Sequence, residues 1–277
     1  GSVSLAGAQT KPPAPAGGGR GTARQEARDV RLMDAVKAGD KRSVRALLAG
    51  RVAVNAAQAD GTTALHWAAN ADDPELTALL IGAGADVKAK NRYGVTPLWL
   101  ACMNGNAAVA EMLVKAGADA NTVLPEGETV LMTAARTGRV DAVRVLLRYG
   151  ADVNAKEGWH GQTALMWAAA EGHADVIEAL VELGADVRAR SNGGFTALLF
   201  AAREGQMRAV QALINAGSDL NESLPVNTSR EAGVTSATLK PGVPDSGLNA
   251  CLLAQANAHS ELASLLLDQR ADSNAAH

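Results

Sequence analysis

A period of about 33 residues constrains this chain more than any other feature, because a sequence that repeats on itself folds as stacked copies of one small unit. Thr63-Ala64-Leu65, Thr96-Pro97-Leu98, Thr129-Val130-Leu131, Thr163-Ala164-Leu165 and Thr196-Ala197-Leu198 recur at steps of 33, 33, 34 and 33 residues. A second motif keeps the same phase: Gly84-Ala85-Asp86, Gly117-Ala118-Asp119, Gly150-Ala151-Asp152, Gly184-Ala185-Asp186 and the variant Gly217-Ser218-Asp219. Two unrelated motifs in one register exclude coincidence.

Within each period the residue types prescribe helix, turn, helix and loop. Thr is an apt N-cap, since its hydroxyl can satisfy a free backbone N–H. A small pair follows, Ala68-Ala69, Ala101-Cys102, Ala134-Ala135, Ala168-Ala169 and Ala201-Ala202, which suits a first helix whose neighbours approach closely. The second helix carries Leu80-Ile81, Leu113-Val114, Leu146-Leu147, Leu180-Val181 and Leu213-Ile214; with Val143, Ile177 and Val210 they make an amphipathic stripe. Glycines between and after the helices suit left-handed helix stops.

These motifs resemble the ankyrin repeat, with its T-P-L-H-x-A-A opening, G-H turn and G-A-D-V-N-A ending, and the resemblance runs from about Asp29 to Ala275. It implies an all-α ankyrin-repeat solenoid of about seven helix-turn-helix units with short β-hairpin loops. Stepping back one period from Thr63 gives a degenerate N-terminal repeat over 29–57, and further repeats begin at about 58, 91, 124, 158 and 191. The pattern returns 53 residues after its counterparts, at Asn249 to Ala254 and Leu266-Leu267, which leaves an insertion of 20 residues between about 221 and 246 before a last repeat over 247–277. There Arg270 stands in the glycine column, so the C-terminal repeat is expected to be the weakest.

Aromatic residues are only 3% of the chain, so the core must be built from Ala, Leu and Val. A net charge of −3 lacks the basic footprint of a nucleic-acid binder. No stretch reaches the roughly 18 to 20 apolar residues that a membrane-spanning helix needs. Residues 1–28, with Pro12, Pro13, Pro15 and Gly17-Gly18-Gly19, have no apolar periodicity and are expected to form a disordered tail. Ala6-Gly7-Ala8 has the small-x-small pattern of a signal-peptidase site, which favours a periplasmic or secreted location over a cytoplasmic one; an arbitrary Ala/Gly-rich tail is the alternative.

Residues with chemical potential fall on repeat columns. Cys102 lies in the small-residue column and Cys251 in that of Leu65, four repeats apart, so buried thiols are expected rather than a disulfide. His66, His173 and His259 occupy structural positions of the resemblance, and no metal-ligand spacing occurs. Asp86, Asp119, Asp152, Asp186, Asp219 and Asp272 read as turn formers. Trp67, Trp99, Trp167 and Phe200 are expected to pack between repeats. No catalytic residue, cofactor or metal is therefore expected.

The resemblance also implies a partner-binding face made of loop tips and the concave side of the first helices. On this chain that face comprises Arg92, Tyr93, Glu126, Glu128, Trp159, His160 and Phe195, with Arg136 and Arg203 on first helices. A ridge through Tyr93, Trp159 and Phe195 is the expected anchor, since aromatic side chains dominate protein interfaces; the alternative is that Trp159 or Phe195 folds back on its neighbouring loop. The implied function is a non-enzymatic, monomeric scaffold that binds another protein. The alternative is a recruiting segment of a larger, truncated enzyme.

Overall fold

The computed structural model describes residues 30–50, 52–224 and 248–275, with backbone alone from 270 onward. The expected tail and nearly all of the expected insertion lie outside the described residues. Seven helix pairs follow one another: α1 (30–37) and α2 (Lys41–Ala49), α3 (Ala64–Asn70) and α4 (Pro74–Gly82), α5 (Pro97–Asn104) and α6 (Ala107–Lys115), α7 (Val130–Arg136) and α8 (Val140–Arg148), α9 (Ala164–Glu171) and α10 (Ala174–Glu182), α11 (Ala197–Arg203) and α12 (Met207–Asn215), α13 (Ala250–Ala256) and α14 (Ser260–Ala275). First helices stack on one another from α3 to α13, and second helices from α2 to α12, giving two layers. Among the described residues the only β-pairing is three isolated antiparallel bridges, Ala57 to Thr63, Val123 to Thr129 and Ser223 to Asn249. This is the expected all-α repeat stack.

The caps set where the helices begin. Thr96, Thr129, Thr163 and Thr196 accept the backbone N–H three residues on at 3.2–3.4 Å, and Asp40, Asp73 and Asn106 do the same for second helices at 3.0 Å. At Thr63 the His66 ring takes part: its Nδ1 accepts from the Thr63 hydroxyl at 2.8 Å and amide at 3.2 Å, while Nε2 donates to the Val95 carbonyl of the next repeat at 3.0 Å. Burial pushes the His66 pKa down, outweighing the Val95 carbonyl, and the ring is a neutral bridge between repeats.

Packing then follows the columns. Every alanine of the small pairs, with Cys102, is fully buried, and so are Leu80, Leu113, Leu146, Leu180 and Leu213. Burial alone pushes the Cys102 thiol up to about 12, so it stays protonated and inert. Cys251, whose Sγ donates to the Ala263 carbonyl at 3.8 Å, is only half-buried, because the side of α13 away from α11 meets no other first helix among the described residues. Polar side chains span the same interfaces. His173 Nε2, Gln206 Nε2 and His259 Nε2 donate to the carbonyls of Arg136, Ala170 and Arg203 at 3.0, 3.2 and 3.1 Å, satisfying carbonyls that a helix end leaves free.

The last repeat departs from expectation. With arginine in place of glycine at position 270, α14 does not stop there but continues to Ala275. A residue with a Cβ resists the left-handed conformation and keeps the helical one. Asp272 therefore lies in a helix rather than in a turn. By contrast, the Asp turns at 86, 119, 152, 186 and 219 form as expected, each carboxylate accepting the amide two residues on at 2.8–2.9 Å.

The glycine column between paired helices adopts positive φ, as at Gly172, where φ is 80° and an added Cβ would lie 2.3 Å from Gln206 Oε1. Towards the two ends of the array the same column holds Asp72 and Ala258, at φ 55° and 67°. Alanine at such an angle costs about 1 kcal/mol relative to glycine. Ala258→Gly is therefore expected to stabilise the last repeat by about that amount, read as slower amide exchange in α13 and α14; unchanged or faster exchange would contradict the assignment.

Candidate functional site

Each loop between repeats closes as a short hairpin. Gln58, Asn91, Leu124, Glu157 and Ser191 donate their amides to the carbonyls of Thr62, Val95, Glu128, Gln162 and Phe195 at 2.9–3.1 Å. Tips also bond to tips: the Arg92 amide donates to the Asp60 carbonyl at 2.8 Å, and the Asn192 amide and Nδ2 donate to the carbonyls of His160 and Trp159 at 2.7 and 3.0 Å. Leu224 likewise donates to the Leu248 carbonyl at 3.0 Å, the bond that closes the hairpin in the other repeats.

Five of the nine expected residues stand on these tips, Arg92, Tyr93, Glu126, Trp159 and His160, and all five are exposed. Tyr93 is 57% and Trp159 72% exposed. The Arg92 guanidinium lies 4.7 Å from the Tyr93 ring centroid and donates to its hydroxyl. Trp159 is held differently. The buried carboxylate of Glu157 accepts from the amides of Trp159, His160 and Gln162 at 2.6, 2.7 and 3.0 Å. Burial alone would raise the Glu157 pKa, but these three N–H groups outweigh it and hold the carboxyl below its usual range. This is the loop of the 34-residue step, and Glu157 gathers the longer turn around one anion so that the indole projects outward. Glu157 is not among the expected site residues; an acid where the other repeats carry Gln58, Asn91, Leu124 and Ser191 is its signal in the sequence.

Glu128, Arg136 and Arg203 lie along the first-helix face rather than on the tips. Trp99 Nε1 donates to the Thr133 hydroxyl at 2.9 Å, that hydroxyl donates to Glu128 Oε1 at 2.7 Å, and Arg136 Nη2 reaches the same oxygen at 3.5 Å. The Arg136 guanidinium sits 5.4 Å from the Trp167 ring centroid. Trp67, Trp99 and Trp167 are half-buried rather than enclosed, because each ring forms part of this face. The Trp67 indole donates to Gln58 at 3.3 Å. At Trp167 the equivalent residue is Glu157, turned to its own loop, and the Trp167 indole N–H and Arg136 Nε are both buried without a protein acceptor.

Phe195 corrects the expected ridge. It is 2% exposed, its ring 5.0 Å from that of Phe200 and beneath the Arg203 guanidinium. Its position closes the hairpin next to the Thr196 cap, and there an apolar ring gains more by entering the Phe200 cluster than by standing in water. The exposed aromatic rings on the tips are Tyr93 and Trp159, two repeats apart.

Residues 32–123, 70–157, 113–191 and 160–224 match the family described as ankyrin repeats (3 copies). The chain belongs to the ankyrin-repeat family. Ankyrin repeats generally serve as protein–protein interaction modules. No curated protein matches the chain. Among the described residues no three His, Cys, Asp or Glu side chains are grouped to hold a metal ion, and no helix is long and apolar enough to cross a membrane.

Glu157→Ala is expected to free the amides of Trp159, His160 and Gln162, speeding their exchange and costing about 1–3 kcal/mol locally. The acid dependence has a defined sign. A carboxyl held below its usual 4.5 stabilises the fold fully above that pH and loses the contribution as pH falls below it. The loop amides of the wild type should loosen at that acidic pH while those of Glu157→Ala do not change further; parallel behaviour would refute the role of Glu157.

Proposed function

We propose that this chain is a non-catalytic binding module that takes a partner protein on its loop tips and the adjoining first-helix face, anchored at Tyr93 and Trp159. The observation that carries the reading is the exposure of two large aromatic rings on loops whose backbones are fixed by Asn91 and Glu157 side chains. Exposed aromatic surface held in advance is the low-entropy kind of anchor that interfaces use. Behind the tips, the half-buried Trp67, Trp99 and Trp167 rings continue the surface along the first-helix face. Arg92, Glu126, His160 and Arg203 form the polar surround of this surface.

Affinity capture from native extract with wild type and variants tests the reading. Tyr93→Ala and Trp159→Ala are each expected to weaken capture of the same partner about tenfold or more, as for interface anchors, while the melting transition stays within a degree or two. Trp167→Ala should cost stability instead, by less than the ~3–5 kcal/mol of a fully enclosed ring. Equal loss of stability at Trp159 and Trp167, or undiminished capture by the tip variants, would overturn it.

A further inference from the structure

Asparagine side chains join successive loops into a ladder that is interrupted at Lys88 and again at Arg188. The Nδ2 groups of Asn55, Asn121 and Asn154 donate to the carbonyls of Gly84, Gly150 and Gly184 at 3.1, 2.9 and 3.2 Å. The Oδ1 atoms of the same residues accept from the amides of Asp86, Asp152 and Asp186 at 2.7, 2.8 and 2.8 Å. Each carboxamide thus satisfies one carbonyl and one N–H of the next repeat. Lys88 occupies the register position between Asn55 and Asn121. An ammonium donates but cannot accept, and among the described residues neither the Gly117 carbonyl nor the Asp119 amide has a protein partner.

The loop beyond the gap keeps the geometry of the loops that receive a rung. The Asp119 carboxylate accepts the Asn121 amide at 2.9 Å, as Asp152 accepts that of Asn154 at 2.9 Å. Beside the gap opens a cleft of about 390 Å³, lined by Val87, Lys88, Thr96, Asp119 and Thr122 among others. Lys88 and Lys90 at its rim are exposed and form no ion pair among the described residues. Arg188 interrupts the ladder again ahead of Asp219, but this cleft lies at the first interruption.

We propose that the cleft at Lys88 is a binding site for a carboxamide: an asparagine side chain of a partner protein occupies the missing rung, donating to the Gly117 carbonyl and accepting from the Asp119 amide. The three intramolecular rungs define the chemistry that fits. An aspartate side chain supplies the acceptor but no donor, and an alanine neither. The inference rests on the reading of the chain as a protein-binding module but not on Tyr93 or Trp159, so the two fail separately.

The test uses the full isotope-labelled chain titrated with N-acetyl-asparagine methylamide, with the alanine analogue as control. The Asp119 amide resonance is expected to move with the asparagine probe and not with the alanine one. In Lys88→Asn the chain supplies its own rung; Asp119 amide exchange should slow about tenfold, as one net hydrogen bond implies, and the probe should no longer move the resonance. Equal shifts from both probes, no shift from either, a response retained in Lys88→Asn, or unchanged Asp119 exchange in that variant would each overturn the proposal. Any of these results leaves the tip reading to stand or fall on the capture experiment.

Discussion

Close contact between successive repeats is the interaction on which everything else depends. One helix pair alone cannot enclose its apolar side, and each repeat is completed by its neighbour. The alanine pairs make that possible. Ala134 and Ala135, Ala168 and Ala169, and Ala201 and Ala202 are fully buried, and side chains this small let first helices approach closely enough to exclude water and gain dispersion contacts along their length. Directional bonds then set the register of the stack. His66, His173, Gln206 and His259 each reach a backbone carbonyl of an adjoining repeat, and the asparagine rungs repeat the device in the loops.

Because the core lies between helices, the loop tips are released from packing duty. They are not thereby loose, since bonds from tip to tip and carboxamide or carboxylate acceptors inside the turns hold them. Tyr93 and Trp159 combine exposed aromatic area with a backbone fixed by side-chain acceptors, the two conditions on which the proposed binding surface rests. The division explains why so aromatic-poor a chain can spend two rings in solvent. Ala and Leu fill most of the uniform spacing between repeats, and Phe195 and Phe200 are the aromatic rings buried in it.

The period, the two helix layers, the caps and the buried columns were legible in the sequence because they recur, and recurrence separates a structural requirement from chance. What occurs once was harder to read. Phe195 shares a column with Thr62, Val95, Glu128 and Gln162, and nothing in that column tells whether a ring turns in or out; the local partner Phe200 decides it. Glu157 acts through three backbone amides of a lengthened turn, a geometry that composition does not encode. Arg270 in the glycine column suggests a weak stop, whereas the helix resolves the conflict by continuing. The tryptophans do pack against the core between repeats, Trp99 bonding to Thr133 of the next repeat, but each ring is only half-buried, which the column alone does not show.

The central claim is that stability is held locally, between neighbours, along a one-dimensional array. Residue-resolved hydrogen exchange on the free protein tests it most directly. The account predicts the slowest exchange in α7 and α9, which are covered by repeats on both sides, with protection falling stepwise through α11 to α13. A single uniform protection across all helices would mean that the chain opens only as a whole, and would contradict it.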